Sequence, residues 1–207
     1  MTAVIIAALV VYTLGLLVLF GYRSWLQFRQ TGSTGFIGIR ERPGSLGWWG
    51  GVLFVLAIVA TVLALLLAAT GLLTPAASLT HPVLGGLGLA LALVGLVVTF
   101  LAQNAMGASW RIGVDADERT NLVTGGIFSW VRNPIFTAMT TALLGLPLLI
   151  PSWLSLTALP ALVAAIEIQV RAVEEPYLAR VHGSAFTDYT ARTGRFLPGI
   201  GTEPIRE

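Results

Sequence analysis

The residues best equipped for chemistry fall in two short polar stretches. The first is Arg171-Ala-Val-Glu174-Glu175, with Glu167 one helical turn before it. On a helix, Glu167, Arg171 and Glu174 stand at i, i+4 and i+7, and Glu175 follows Arg171 by four. That spacing predicts Arg171 beside its acidic neighbours on one face. Near a membrane such ionisable residues are expensive and usually face a protein interior or a water-filled cavity. The same spacing also describes a plain ladder of ion pairs that ends a helix at a membrane surface.

The second stretch, Thr120 to Phe136, reads TNLVTGGIFSWVRNPIF. Thr124-Gly125-Gly126 permits a tight turn with positive φ, and backbone groups around such a turn can hold a polar ligand. Asn133-Pro134 opens the next helix, because proline is tolerated in a first helical turn. The plainer alternative is a re-entry loop anchored by Arg132. Between the two stretches and the rest of the chain lie weaker candidates. Asp115-x-Asp117-Glu118 lacks the glycine and terminal glutamate of a calcium loop and reads as a solvated acidic turn, so no metal site is expected. A lone His81 in a short loop reads as structural.

Composition says what must position these residues. Of 207 residues, 56% are hydrophobic and 11% charged, against roughly 25% charged in soluble domains. Mean hydropathy is +0.83, a membrane composition. Cysteine is absent, which removes disulfides, thiolate nucleophiles and cysteine metal sites. Lysine is absent too, so all 12 basic residues are arginine; Schiff-base chemistry and a Walker-type phosphate loop are excluded. The arginines form no dense patch with interleaved aromatics, so nucleic acid is not an expected partner.

Taken in order, the chain alternates apolar runs with arginine-bearing loops. Residues 1–22 carry no charge, and with no basic region ahead of them they read as a retained membrane helix, not a cleaved signal. A polar connector follows to Arg42. From Pro43 to Trp110 no Asp, Glu, Lys or Arg occurs, and the Pro75 to Pro82 break divides this run into a helical hairpin, 46–73 and 83–106. Ser45 is a helix N-cap by type, with Trp48-Trp49 at interface depth. The last two spans are 134–150 and 152–171, with Pro147 and Pro151 bracketing a tight turn. Ser184 reads as the N-cap of a tail helix that stops near Gly194.

With five spans, the connector carries four arginines, segment 111–132 three and the tail five, so every arginine lies on one side. The positive-inside rule then predicts an all-α integral membrane fold of five transmembrane helices. The N-terminus is outside, the C-terminus is cytoplasmic with a short helical tail, and residues 1–207 form a single membrane domain. Both polar stretches share the cytoplasmic face, and 111–136 and 171–198 together make the expected site.

Two patterns with a two-helix hairpin between them carry a resemblance. LVTxGxFxxVRNP spans Leu122-Val123-Thr124, Gly126, Phe128 and Arg132-Asn133-Pro134, then Phe136. It is followed by RxxEExxL (Arg171, Glu174, Glu175, Leu178), His182-Gly183, Tyr189 and RFLP. This C-terminal half resembles the isoprenylcysteine carboxyl methyltransferase family and its phospholipid-methyltransferase relatives. Asn133 stands where the family has histidine, and Phe128 and Phe136 where it has tyrosines.

The resemblance implies S-adenosylmethionine as cofactor, lined by Thr120, Asn121, Leu122, Val123, Phe128, Asn133, Pro134, Ile135, Phe136 and Glu175. It implies Arg171, Glu175 and Arg132 as catalytic residues, with Arg171, Glu167, Glu174 and Arg111 toward the substrate. The implied substrate is a lipid-like or prenylated small molecule reached from membrane lipids, methylated most simply on a carboxylate. A carboxylate is ionised at neutral pH and needs no general base. A lipid amine would have to lose a proton, and a glutamate could take it. Two other readings stand beside these. One is a membrane sterol-reductase-like enzyme using a nicotinamide cofactor; the other is a non-catalytic transporter or membrane module, which the absence of repeats disfavours.

Overall fold

The computed structural model describes residues 2–113 and 121–203, and among them all regular structure is helical. Only isolated bridges pair extended backbone, at Phe36 with Ile112, Val131 with Gly194 and Leu197 with Ile200. Six helices follow in order: α1 (Thr2–Thr31), α2 (Leu46–Ala69), α3 (Pro82–Ala105), α4 (Pro134–Leu149), α5 (Trp153–His182) and α6 (Ser184–Arg192). Each of α1 and α5 contains one wide π turn, Leu17–Tyr22 and Gln169–Glu174.

Four helices, α1, α2, α3 and α5, are long and apolar enough to cross a membrane. Helix α4 has 16 residues, about 24 Å at 1.5 Å per residue, short of the ~30 Å hydrocarbon core. The outward faces of the long helices are apolar: Leu14 is 55% exposed, Val94 58% and Trp153 86%. In water such faces would be a liability; against lipid chains they need no cover.

Because lipid is as apolar as leucine, close backbone approach must hold the helices together. Small residues provide it. A methyl built on Gly95 of α3 would lie 2.4 Å from the Ala142 nitrogen of α4, and one on Gly145 would lie 2.3 Å from the Gly88 oxygen. Gly50 of α2 meets the Ile168 side chain of α5 in the same way. Helix α1 seals the bundle through Ile5, Ala8 and Tyr12, whose hydroxyl donates to the Ala142 carbonyl at 2.5 Å.

Several boundaries differ from the sequence reading. Helix α1 does not end at residue 22 but runs to Thr31, so the connector is helical in its first part. This continuation buries Arg23, which is 1% exposed. Arg23 donates to the Gly107 carbonyl at 2.7 Å and lies 4.5 Å from the Trp110 ring. The carbonyls beyond the end of α3 and an aromatic face stand in for water around this cation. Helix α2 ends at Ala69, four residues early, where Gly71 adopts φ +77°. Ser45 does cap it, accepting from Trp48 N, and His81 caps α3 through Nδ1.

At the far turn Pro147 lies inside α4 and does not bracket the turn. Residues 150–152 turn the chain, and Ser152 with Ser155 forms a reciprocal cap on α5. Helix α5 continues past residue 171 to His182. Gly183, at φ +52°, then precedes α6, whose first residue is Ser184; the helix ends at Arg192, two residues before Gly194. The Ala76 nitrogen donates to the Pro151 carbonyl at 2.8 Å, tying together the two loops at the charge-poor end.

Candidate active site

The arginine-rich end of the bundle gathers four elements: the loop Asn121 to Asn133 with its 3-10 turn Gly126–Ser129, the start of α4, the π turn and last turns of α5, and the tail from α6 to Glu203. The loop and the tail are stitched by backbone bonds. Arg132 N donates to Gly194 O at 2.8 Å and Asn133 N to Arg195 O at 3.1 Å. Asn133 Nδ2 donates to the same Arg195 carbonyl at 3.1 Å, and Thr137 Oγ1 to Phe196 O at 2.8 Å. Tyr189 OH donates to Phe128 O at 2.6 Å. Burial pushes this phenol up to about 12, so it stays a neutral donor.

Arg132 occupies the centre, 7% exposed. One terminal nitrogen donates to three tail carbonyls: Thr190 at 3.2 Å, Thr193 at 2.8 Å and Gly201 at 3.2 Å. The other donates to Glu175 Oε1 at 2.7 Å and Glu203 Oε1 at 3.3 Å. Arg195 reaches the same two carboxylates: its Nε donates to Glu175 Oε1 at 2.8 Å, and it pairs with Glu203 through a terminal nitrogen. Two guanidiniums and two carboxylates thus form one mutually bonded group. A planar fork with five donors can serve carbonyls on one edge and carboxylates on the other; a lysine could not.

Of the expected site residues, the structure brings Arg132, Asn133 and Glu175 together around this group. Pro134, Ile135 and Phe136 form the first turn of α4 beside it, and Phe136 packs on the hydrophobic core. Asn121 is exposed, Leu122 and Val123 are half-buried, and Phe128 is buried. Thr120 and the acidic turn Asp115–Glu118 lie outside the described residues. Arg111 sits 5.2 Å over the Tyr177 ring of α5.

Largely exposed, Arg171 meets its expected neighbour Glu167 one turn back but not Glu175. The π turn is the reason. Each α residue rotates the chain by about 100°, and a wide turn inserts one residue's worth of rotation. Everything after Gln169–Glu174 is therefore re-aimed from an ordinary α register, and Glu175 bonds Arg132. The sequence did hold a cue in Pro176, which has no N–H for the carbonyl four residues back and whose ring crowds it, a local reason to widen the turn.

Arg195 lies within the expected 171–198 segment but was not singled out, and Glu203 lies beyond that segment. Arg195 opens the RFLP motif, but nothing in its spacing showed that it would share Glu175 with an arginine 63 positions earlier. Glu203 carries no pattern at all.

An all-helical membrane bundle with one charged, bonded centre at its arginine-rich end is the class that fold and site define. Residues 84–185, a segment running from α3 into α6, match the family model for phospholipid methyltransferase. The structure is also similar to that of a eukaryotic intramembrane Ras methyltransferase, isoprenylcysteine carboxyl methyltransferase, at 20% identity and a TM-score of 0.49. That match covers 71% of this chain and 52% of the other, so the chain spans about half the length of that relative. No curated protein matches.

Proposed function

We propose that this chain is an integral membrane methyltransferase that uses S-adenosylmethionine to methylate a lipidic or isoprenoid-linked acceptor, a carboxylate in the first instance, at the cytoplasmic face. The observation that carries the reading is the direct bond between Arg132 and Glu175. These residues belong to the two motifs that define the family resemblance, and the family match spans both.

The residues present fit the cofactor on physical grounds. Gly125 and Gly126 have open space where a side chain would stand, so backbone there is free to approach a ligand. Asn133 and Phe136 are half-buried at the start of α4, and the Glu175 carboxylate is bonded to Arg132 of the loop that carries these glycines. Asn121 to Val123, Asn133 to Phe136 and Glu175 would hold the cofactor, with Thr120 at the head of the loop and buried Phe128 as floor. When bound, it supplies a methyl group on a positively charged sulfur, ready for in-line displacement. The chain's own part is positioning and exclusion of water. Arg171 orients the acceptor carboxylate, Glu167 tempers that charge through its ion pair, and Glu174 and Arg111 complete the acceptor side. Residues 1–207 act as one membrane domain with five spans, α4 being the short one, and the N-terminus outside.

The family's description favours one second reading, N-methylation of a lipid amine, in which Glu167 or Glu174 takes the amine proton. Calorimetry of the detergent-purified protein with S-adenosylhomocysteine tests the donor; absence of binding removes both readings. Arg171→Ala is expected to keep that affinity while transfer falls at least about 100-fold, the scale of one lost positioning contact. Mass spectrometry of the product then separates a base-labile ester from a stable amine. Unchanged turnover in Arg171→Ala would defeat the acceptor assignment.

A further inference from the structure

The four-residue charged group is uneven. Arg132, Arg195 and Glu175 have side chains that are 3%, 12% and 14% exposed, whereas Glu203 is 50% exposed. Without Glu203, two largely buried guanidiniums share a single carboxylate. They are short of acceptors as well as of charge. Arg132 Nε is buried with no acceptor among the described residues, and the terminal nitrogen that Arg195 offers is taken only by Glu203. A buried excess of positive charge is costly and draws in an anion. Glu203 meets that need from a position much of which is water-exposed, so its own carboxylate loses little on leaving. Its backbone is held in reach, since its N–H donates to the Thr190 carbonyl at 3.0 Å.

We propose that Arg132 and Arg195, seated on Glu175, form an oxyanion-binding site, and that Glu203 is its displaceable internal occupant. The ligand is a compact oxyanion, carboxylate or phosphate. Two sources carry that chemistry: the amino-acid carboxylate of the methyl donor, or the anionic headgroup of a lipid. The identity of the ligand rests on the function proposed above; the site itself does not. Glu203 thereby sets the affinity of the site, because every ligand must first compete with it.

The test uses the full chain in detergent and Glu203→Gln, which keeps the side chain's size and removes its charge. Inorganic phosphate is the first probe and needs no methyl donor. Millimolar phosphate is expected to raise the thermal midpoint of Glu203→Gln and leave the parent nearly unmoved, with Arg195→Gln added to Glu203→Gln abolishing the response. An equal response in parent and variant, or none in either, overturns the site.

The second measurement compares S-adenosylhomocysteine with 5′-methylthioadenosine, which lacks the carboxylate, and with phosphatidic acid in bicelles. Tightening of S-adenosylhomocysteine alone by about tenfold, the scale of 1.4 kcal/mol, assigns the donor carboxylate. Tightening of phosphatidic acid assigns a lipid headgroup. Tightening of neither overturns the role of Glu203 as a stand-in. If S-adenosylhomocysteine fails to bind even the parent while the phosphate response persists, the proposed function falls and the site stands.

Discussion

Glu175 is the residue on which the charged centre turns, because its Oε1 receives Arg132 at 2.7 Å and Arg195 at 2.8 Å. Glu175→Gln removes a charge from between two guanidiniums, leaving Arg132 with Glu203 as its remaining carboxylate. Breaking a buried pair by removing one partner costs about 3 kcal/mol, and partial exposure of Glu175 pulls this toward ~2 kcal/mol. The expected result is a clear drop in thermal midpoint together with lost S-adenosylhomocysteine binding; a midpoint equal to the parent's would show the centre to be energetically idle. Tyr189 acts by hydrogen bonding alone. Tyr189→Phe leaves the Phe128 carbonyl unsatisfied, at a cost of about 1–2 kcal/mol. Its pH signature has a definite sign. The folded phenol titrates at about 12 and the free one at 10.0, so the unfolded chain loses its proton first. This contribution is complete below the free value and disappears as pH rises through the folded one. The parent's midpoint should therefore decline more steeply than that of Tyr189→Phe between those two values.

At the scale of elements, the π turn Gln169–Glu174 decides which acid faces which base. Deleting Ala172 removes one residue from the wide turn and restores an ordinary α register, rotating Glu175 by about 100° relative to the helix before it. Arg171 and Glu175 would then stand at i, i+3, and the bond between Glu175 and Arg132 would be lost. Loss of S-adenosylhomocysteine binding with helical content preserved by circular dichroism is the expected outcome, and retained affinity would show the register to be irrelevant. Elements whose cues are local were legible in the sequence. The Ser45 cap, the hairpin break near Pro82 and the start of α4 at Pro134 all rest on residues within one turn of the feature. The burial of Arg23 was not, since it depends on carbonyls 80 and 84 positions away.

At the scale of the molecule, the arginines of the described chain gather toward one end of the bundle, as the charge-free loops near Ser78 and Pro151 gather at the other. A chain without cysteine allows a direct test of how it sits in the bilayer. Ser33→Cys and Thr202→Cys should react with an impermeant maleimide from the cytoplasmic side, and Ser78→Cys from the opposite side. Labelling of Ser33→Cys and Ser78→Cys from the same side would rule out five spans. The sequence by itself determined the membrane class, the helical hairpin and the two motifs that carry the family resemblance, because apolar run length, capping and motif spacing are properties of neighbouring residues. Only the tertiary structure decided that Glu175 belongs to Arg132 and not to Arg171, and that Arg195 and Glu203 close the group. Those pairings depend on one residue's worth of helical rotation and on a tail folded back across the loop. Neither the rotation nor the fold-back is fixed by the spacing of the residues that finally meet.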